Sequence, residues 1–134
     1  MSNKLTKKEL ETVKKWGAKY DQDKPEIDLI PYEVILALGE VLAKGAKKYD
    51  RHNWRKGMRW GRVFAAAQRH LWFWWGTGKP DGDTGLSHLS HAIANLAFLL
   101  AYEKQRLGED DRYINVSPNK TSNRKSKTRS IRDK

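Results

Sequence analysis

The chain has no cysteine among its 134 residues. That excludes a disulfide scaffold, a thiolate metal site and a thiol nucleophile. No apolar run approaches the ~18 residues of a membrane span, so no membrane partner is expected. The opening Met-Ser-Asn-Lys-Leu-Thr-Lys-Lys has no apolar signal region. Strand-like alternation of useful length and internal repeats are also missing. Acids are scarce beside bases: 16 Asp and Glu against 27 Lys and Arg leave a net charge of +11. Residues Lys120 to Lys134 hold seven bases and one acid, so they supply +6 (7 − 1), and the remainder carries +5 (11 − 6). Both parts can attract a polyanion such as a nucleotide or a nucleic-acid backbone.

What is present is an aromatic-rich chain of helical period. Six Trp, five Tyr and three Phe suffice for the core of one small domain. Thr6-Lys7-Lys8-Glu9 has capping-box spacing and predicts a short helix to about Trp16. Pro31 suits a first helical position, and Val34, Ile35, Leu38, Val41 and Leu42 make an apolar stripe ending near Gly45. A third helix is predicted from Trp60 to Trp75, and a fourth and longest from Leu86 to Leu107. Its expected buried stripe is Leu89, Ala92, Ile93, Leu96, Leu99 and Leu100. The expected architecture is all-α, a compact bundle of about four helices with two functional polar loops, Lys19–Pro25 and Tyr49–Gly57. The division expected is an N-terminal helical extension (1–16), a helical domain (17–108) and a flexible basic tail (109–134). Residues 117–134 are too polar to offset the cost of ordering, so disorder is expected there. So much tryptophan in a short helical chain also predicts a homo-oligomer.

Three of the four histidines fall close together in sequence. His70 lies near the end of the third helix, His88 and His91 open the fourth, and Asp81 and Asp83 occupy the loop between. The i, i+3 spacing of His88 and His91 puts them on one side of a helix, with Asn95 continuing the line. Imidazole and carboxylate bind divalent metals and move protons. Equally, histidines beside an apolar helix face can be plain hydrogen-bonded packing residues, and no His-Glu-x-x-His or other diagnostic metal spacing is present. Lys24, Lys47, Lys48 and Arg69 could neutralise phosphates, while Tyr49, Asn53 and Trp54 could meet a base or ribose. Glu33 and Glu40 stand two turns apart on the second helix, a weak version of the carboxylate sets that hold Mg²⁺ in bundles.

Several short motifs in order carry a resemblance. They are Lys19-Tyr20-Asp21, Lys24-Pro25, Leu29-Ile30-Pro31, Gly45-Ala46-Lys47-Lys48-Tyr49, Asn53-Trp54, Arg69-His70-Leu71 and Gly85-Leu86-x-His88-Leu89-x-His91-Ala92-x-x-Asn95-Leu96. Over about Gly17 to Glu103 the chain resembles the dATP/dGTP diphosphohydrolase N-terminal domain family, common in bacteriophages. The resemblance implies an all-helical nucleotide-binding domain of phage origin, working in the host cytoplasm. The reaction it implies is cleavage of a purine deoxynucleoside triphosphate to the monophosphate and pyrophosphate with Mg²⁺ or Mn²⁺. The residue types then suggest roles. His70, His88, His91 and Asp83 are the catalytic candidates, and Glu40, Asp81, Asp83, His88 and His91 the metal candidates. Lys24, Lys47, Lys48, Tyr49, Asn53, Trp54, Arg69 and Asn95 are the nucleotide-binding candidates. The chain departs from helical-bundle pyrophosphatases in lacking their Glu-x-x-Glu and Glu-x-x-Asp pairs. That departure motivates a second reading, a non-catalytic protein that sequesters a nucleotide made by host defence. The charge and tail motivate a third, a nucleic-acid-binding protein or a weak nucleic-acid contact through the tail.

Overall fold

The computed structural model describes residues 4–114. Residues 117–134, expected to be a disordered tail, lie outside them. Four α-helices are present among the described residues: α1 (Lys7–Lys15), α2 (Tyr32–Lys48), α3 (Trp60–Thr77) and α4 (His88–Gln105). Short 3-10 turns occupy Ile27–Leu29 and Asn53–Lys56. No strand occurs among the described residues, so the all-α expectation holds. The chain divides into two compact units, Met1–Ile30 and Pro31–Lys134.

In the first unit the capping box forms as its spacing predicts. The Thr6 N–H donates to Glu9 Oε2 at 2.7 Å, and the Glu9 N–H donates to Thr6 Oγ1 at 3.3 Å. Gln22 reaches back to Glu9 Oε1 at 2.7 Å, which ties the following turn to α1.

In the second unit α4 packs along α3 and, less extensively, on α2. Small side chains let the backbones approach: Ala67 of α3 and Ala92 and Ala94 of α4 are buried, beside Val63. Among the described residues Tyr102 is the only large side chain wholly out of solvent. Its hydroxyl donates to the Trp54 carbonyl at 2.6 Å. Trp54 itself stacks on Phe98, ring centroids 4.8 Å apart, and the Arg55 guanidinium lies 4.5 Å from its ring centroid.

Two segments depart from the sequence reading. Gly45 does not stop α2, which runs on to Lys48, because the apolar period continues and Lys47 and Lys48 suit a helix C-terminus. The chain also does not loosen after Gly108. Glu109 is buried at 6% exposure and pairs with Arg59 at 2.9 Å. Its backbone exchanges hydrogen bonds with Met58 and Trp60 in an isolated parallel bridge. The Trp60 indole N–H donates to the Leu107 carbonyl, and the Gly61 N–H to Asp111. Residues 107–111, expected to border or begin a flexible tail, are instead clamped against the start of α3. The partners lie about fifty residues apart, so no local pattern reveals them.

Candidate functional site

The turn between α3 and α4 is built around Asp81 and Thr84. Gly78, with φ 65°, ends α3 in the left-handed conformation that glycine adopts freely. Asp81 then folds the loop: its backbone N–H donates to the Leu86 carbonyl at 2.8 Å, and its carbonyl accepts from Gly85 at 2.7 Å. Asp81 Oδ2 accepts twice from Thr84, from the backbone N–H and the hydroxyl, each at 2.9 Å. Ser87 caps α4, its side chain accepting from the Leu89 N–H. His88 thus sits at the first position of α4, with His91 one turn later.

This local geometry converges three imidazoles and a carboxylate. His70 Nδ1 and His88 Nδ1 are 2.9 Å apart. His70 and His91 stack with centroids 4.6 Å apart and planes 12° from parallel. His91 Nε2 lies 2.7 Å from the Thr84 hydroxyl and 3.6 Å from Asp81 Oδ2. Thr84 has one hydroxyl proton and directs it at Asp81. His91 Nε2 is therefore the donor to Thr84, and its proton sits on Nε2. The Leu86 N–H fills the other acceptor position of that hydroxyl at 3.2 Å.

Electrostatics keep two of the rings neutral near pH 7. Burial pushes His70 below its ordinary value, and the His91 and His88 rings push the same way. His91 is also lowered by burial, against the partial opposition of Asp81. For Asp81 burial favours the acid form, but the two Thr84 donations and the nearby imidazoles outweigh it and hold the carboxyl below its usual range. The centre therefore sets one carboxylate beside the His70 and His91 rings, whose charged forms burial disfavours.

Other expected residues fall around this centre. Lys48, at the end of α2, comes within 3.9 Å of Asp83 and 5.3 Å of the Tyr49 ring centroid. Those two neighbours, Tyr49 first, raise its ammonium above the ordinary lysine range. Tyr49, Lys48 and Asp83 thus join the second polar loop to the imidazole loop. Arg69 is exposed beside His70 and also lowers that ring's pKa. Lys47 and Glu40 are exposed on α2, and Glu40 is outside the imidazole cluster. Asn53 opens a 3-10 turn. The Trp54 ring packs against α4, as described above. Asn95 donates to the His91 carbonyl at 2.9 Å, bracing its own helix. Lys24 belongs to the first unit. The residue that sequence reading missed is Thr84. Its signal was the Asp81-x-x-Thr84 spacing, which reads as a turn and carries chemistry only once His91 is placed beside it.

Comparison with known proteins finds a family and a relative that this chain resembles. Residues 14–112 match the family described as dATP/dGTP diphosphohydrolase, N-terminal. A protein of Salmonella phage PMBT28 named dATP/dGTP diphosphohydrolase is 35% identical over 96 residues, which is 72% of this chain and 33% of that protein. The chain therefore spans about a third of the length of that relative. No solved structure matches.

Proposed function

Because the chain belongs to the dATP/dGTP diphosphohydrolase N-terminal family, we propose that it binds a purine deoxynucleoside triphosphate at the α3–α4 loop and hydrolyses it there. Water attacks the α-phosphorus, the bond from that phosphorus to the oxygen bridging to the β-phosphate breaks, and the monophosphate and pyrophosphate leave. The observation that carries this reading is the convergence of His70, His88, His91 and Asp81 with Lys48 close by at Asp83. Neutral imidazoles can take the proton of the attacking water. Lys48 and Arg69 can offset charge on the phosphates, the electrostatic task of phosphoryl chemistry. Tyr49, whose ring lies 5.3 Å from the Lys48 ammonium, can meet the base or ribose. A divalent cation, expected on family grounds and bound with the triphosphate, would polarise the phosphate oxygens.

The test is incubation with a panel of nucleoside triphosphates and Mg²⁺ or Mn²⁺, with products identified by mass. Purine deoxynucleoside monophosphate and pyrophosphate are expected, and His88→Ala should lower turnover by at least ~100-fold, the scale of general acid–base assistance. Recovery of unaltered nucleotide from a tight complex would make the protein a sequestering binder instead. Absence of any nucleotide-dependent thermal shift would overturn both readings.

A further inference from the structure

The Nδ1 atoms of His70 and His88 meet at 2.9 Å. Two neutral imidazoles can approach that closely only if one carries a proton pointing at the other, or if something else lies between their lone pairs. A first-row metal ion makes bonds of about 2.0–2.1 Å to imidazole nitrogen, so two such bonds leave the nitrogens about 3.3 Å apart at the tetrahedral angle and about 3.0 Å apart along an octahedral edge. The observed separation suits that edge. Donor atoms of His70, Asp81 and His88 all lie within 4.8 Å of one another.

The surroundings look like the support such a site needs. Thr84 donates twice to Asp81 Oδ2, which fixes the carboxylate plane and leaves acceptor positions on the carboxylate for an ion. His91 stacks on His70 and is itself held by Thr84, so it braces one ligand ring. The Phe73 ring, 5.5 Å from that of His88, bounds the other ligand ring with an apolar neighbour. Metal-bound histidines and carboxylates are commonly oriented by an outer layer of this kind.

We propose that His70, Asp81 and His88 form a tridentate site for an imidazole-preferring first-row ion of the Zn²⁺, Co²⁺ or Fe²⁺ class, with Thr84 and His91 as positioning residues. Two nitrogen donors and one oxygen do not suit Mg²⁺, which takes oxygen ligands and keeps much of its water. The assignment concerns the ion resident at this site. A Mg²⁺ carried in with the triphosphate is a separate matter. The inference rests on geometry and holds whether or not nucleotide is turned over.

The experiment uses the full chain without nucleotide. Protein stripped with chelator is dialysed against Zn²⁺, Co²⁺, Mn²⁺ or Mg²⁺, and bound metal is counted by mass spectrometry. The Co²⁺ form is also followed by its visible absorption. Stoichiometric retention of Zn²⁺ or Co²⁺ is expected, with no retention of Mg²⁺. His70→Ala, His88→Ala and Asp81→Asn should each lose affinity, and Thr84→Val should lose roughly 10- to 100-fold as an outer-layer change. His52→Asn, at the one histidine outside the cluster, should match the parent. Circular dichroism melts show which variants fold. Failure of the folded parent to retain any of the transition ions overturns the proposal. So does undiminished retention in a folded His70→Ala, His88→Ala double variant. A nitrogen NMR signal showing one proton still shared between the two Nδ1 atoms at saturating Zn²⁺ would also overturn it.

Discussion

At the scale of single residues, Tyr102 is the clearest link between burial and chemistry. It is fully buried, donates to the Trp54 carbonyl, and burial raises its hydroxyl above the ordinary 10.0. A raised folded value means that its contribution is intact below about pH 10 and is lost as pH climbs through the folded value. Tyr102→Phe is expected to cost roughly 1 kcal/mol at pH 7, because the carbonyl loses its donor. The same variant should lose less than the parent between pH 9 and 11, and urea unfolding at both ends of that range checks the pair of effects. His70, His88 and His91 were legible as candidates because their residue types are few and close in sequence. Which imidazole faces which atom was not legible, since that depends on a turn closed by Thr84.

Among the elements, helical period was readable and the covered face was not. Apolar spacing located α2, α3 and α4 to within a few residues. Yet Leu96 and Leu100, on the expected buried stripe of α4, are exposed, while Ala92 of the same stripe is buried. Periodicity says which residues share a face, and only packing says which face is covered. The clamp between residues 57–61 and 107–111 depends on two glycines with positive φ. A side chain on Gly57 would stand 2.7 Å from the Gly108 nitrogen, and one on Gly108 would collide with the Met58 carbonyl. Gly108→Ala should therefore destabilise by on the order of 2–3 kcal/mol. Gly82→Ala, where a side chain meets nothing within 4 Å, should stay within ~0.5 kcal/mol of the parent. Denaturant midpoints with unchanged slopes would establish the contrast.

For the molecule as a whole, the described residues leave much large apolar surface uncovered. Trp72 and Trp75 are 71% and 76% exposed, and Phe64, Leu71, Leu96 and Leu100 are exposed with them. Phe64, Leu71 and Trp75 follow one line along α3, at seven- and four-residue steps. Exposed apolar side chains in such number commonly mark an interface, and a thin core makes a partner more valuable. A second copy of the chain is the expected cover, in keeping with the sequence expectation of an oligomer. Sedimentation should report a mass above the 15.6 kDa of one chain. Leu71→Glu with Trp75→Glu should shift it to one chain while leaving the helical signal in place. A parent that sediments as a single chain at high concentration would remove this expectation.

The imidazole–carboxylate centre of the candidate site runs only from His70 to His91, within one helical hairpin. Its groups need no distant segment to find them, so the loop to be closed is short and its entropic cost small. The geometry around Thr84 can therefore arise as soon as α3 and α4 pair, before α2 docks and before residues 107–111 return to Met58. In pulse-labelling hydrogen exchange, the amides of Thr84 and Leu86, both bonded to side chains of the loop, should become protected together with the hairpin and earlier than the Glu109 amide. Order of assembly in time would then separate the chemistry of this chain from the clamp that holds its ends.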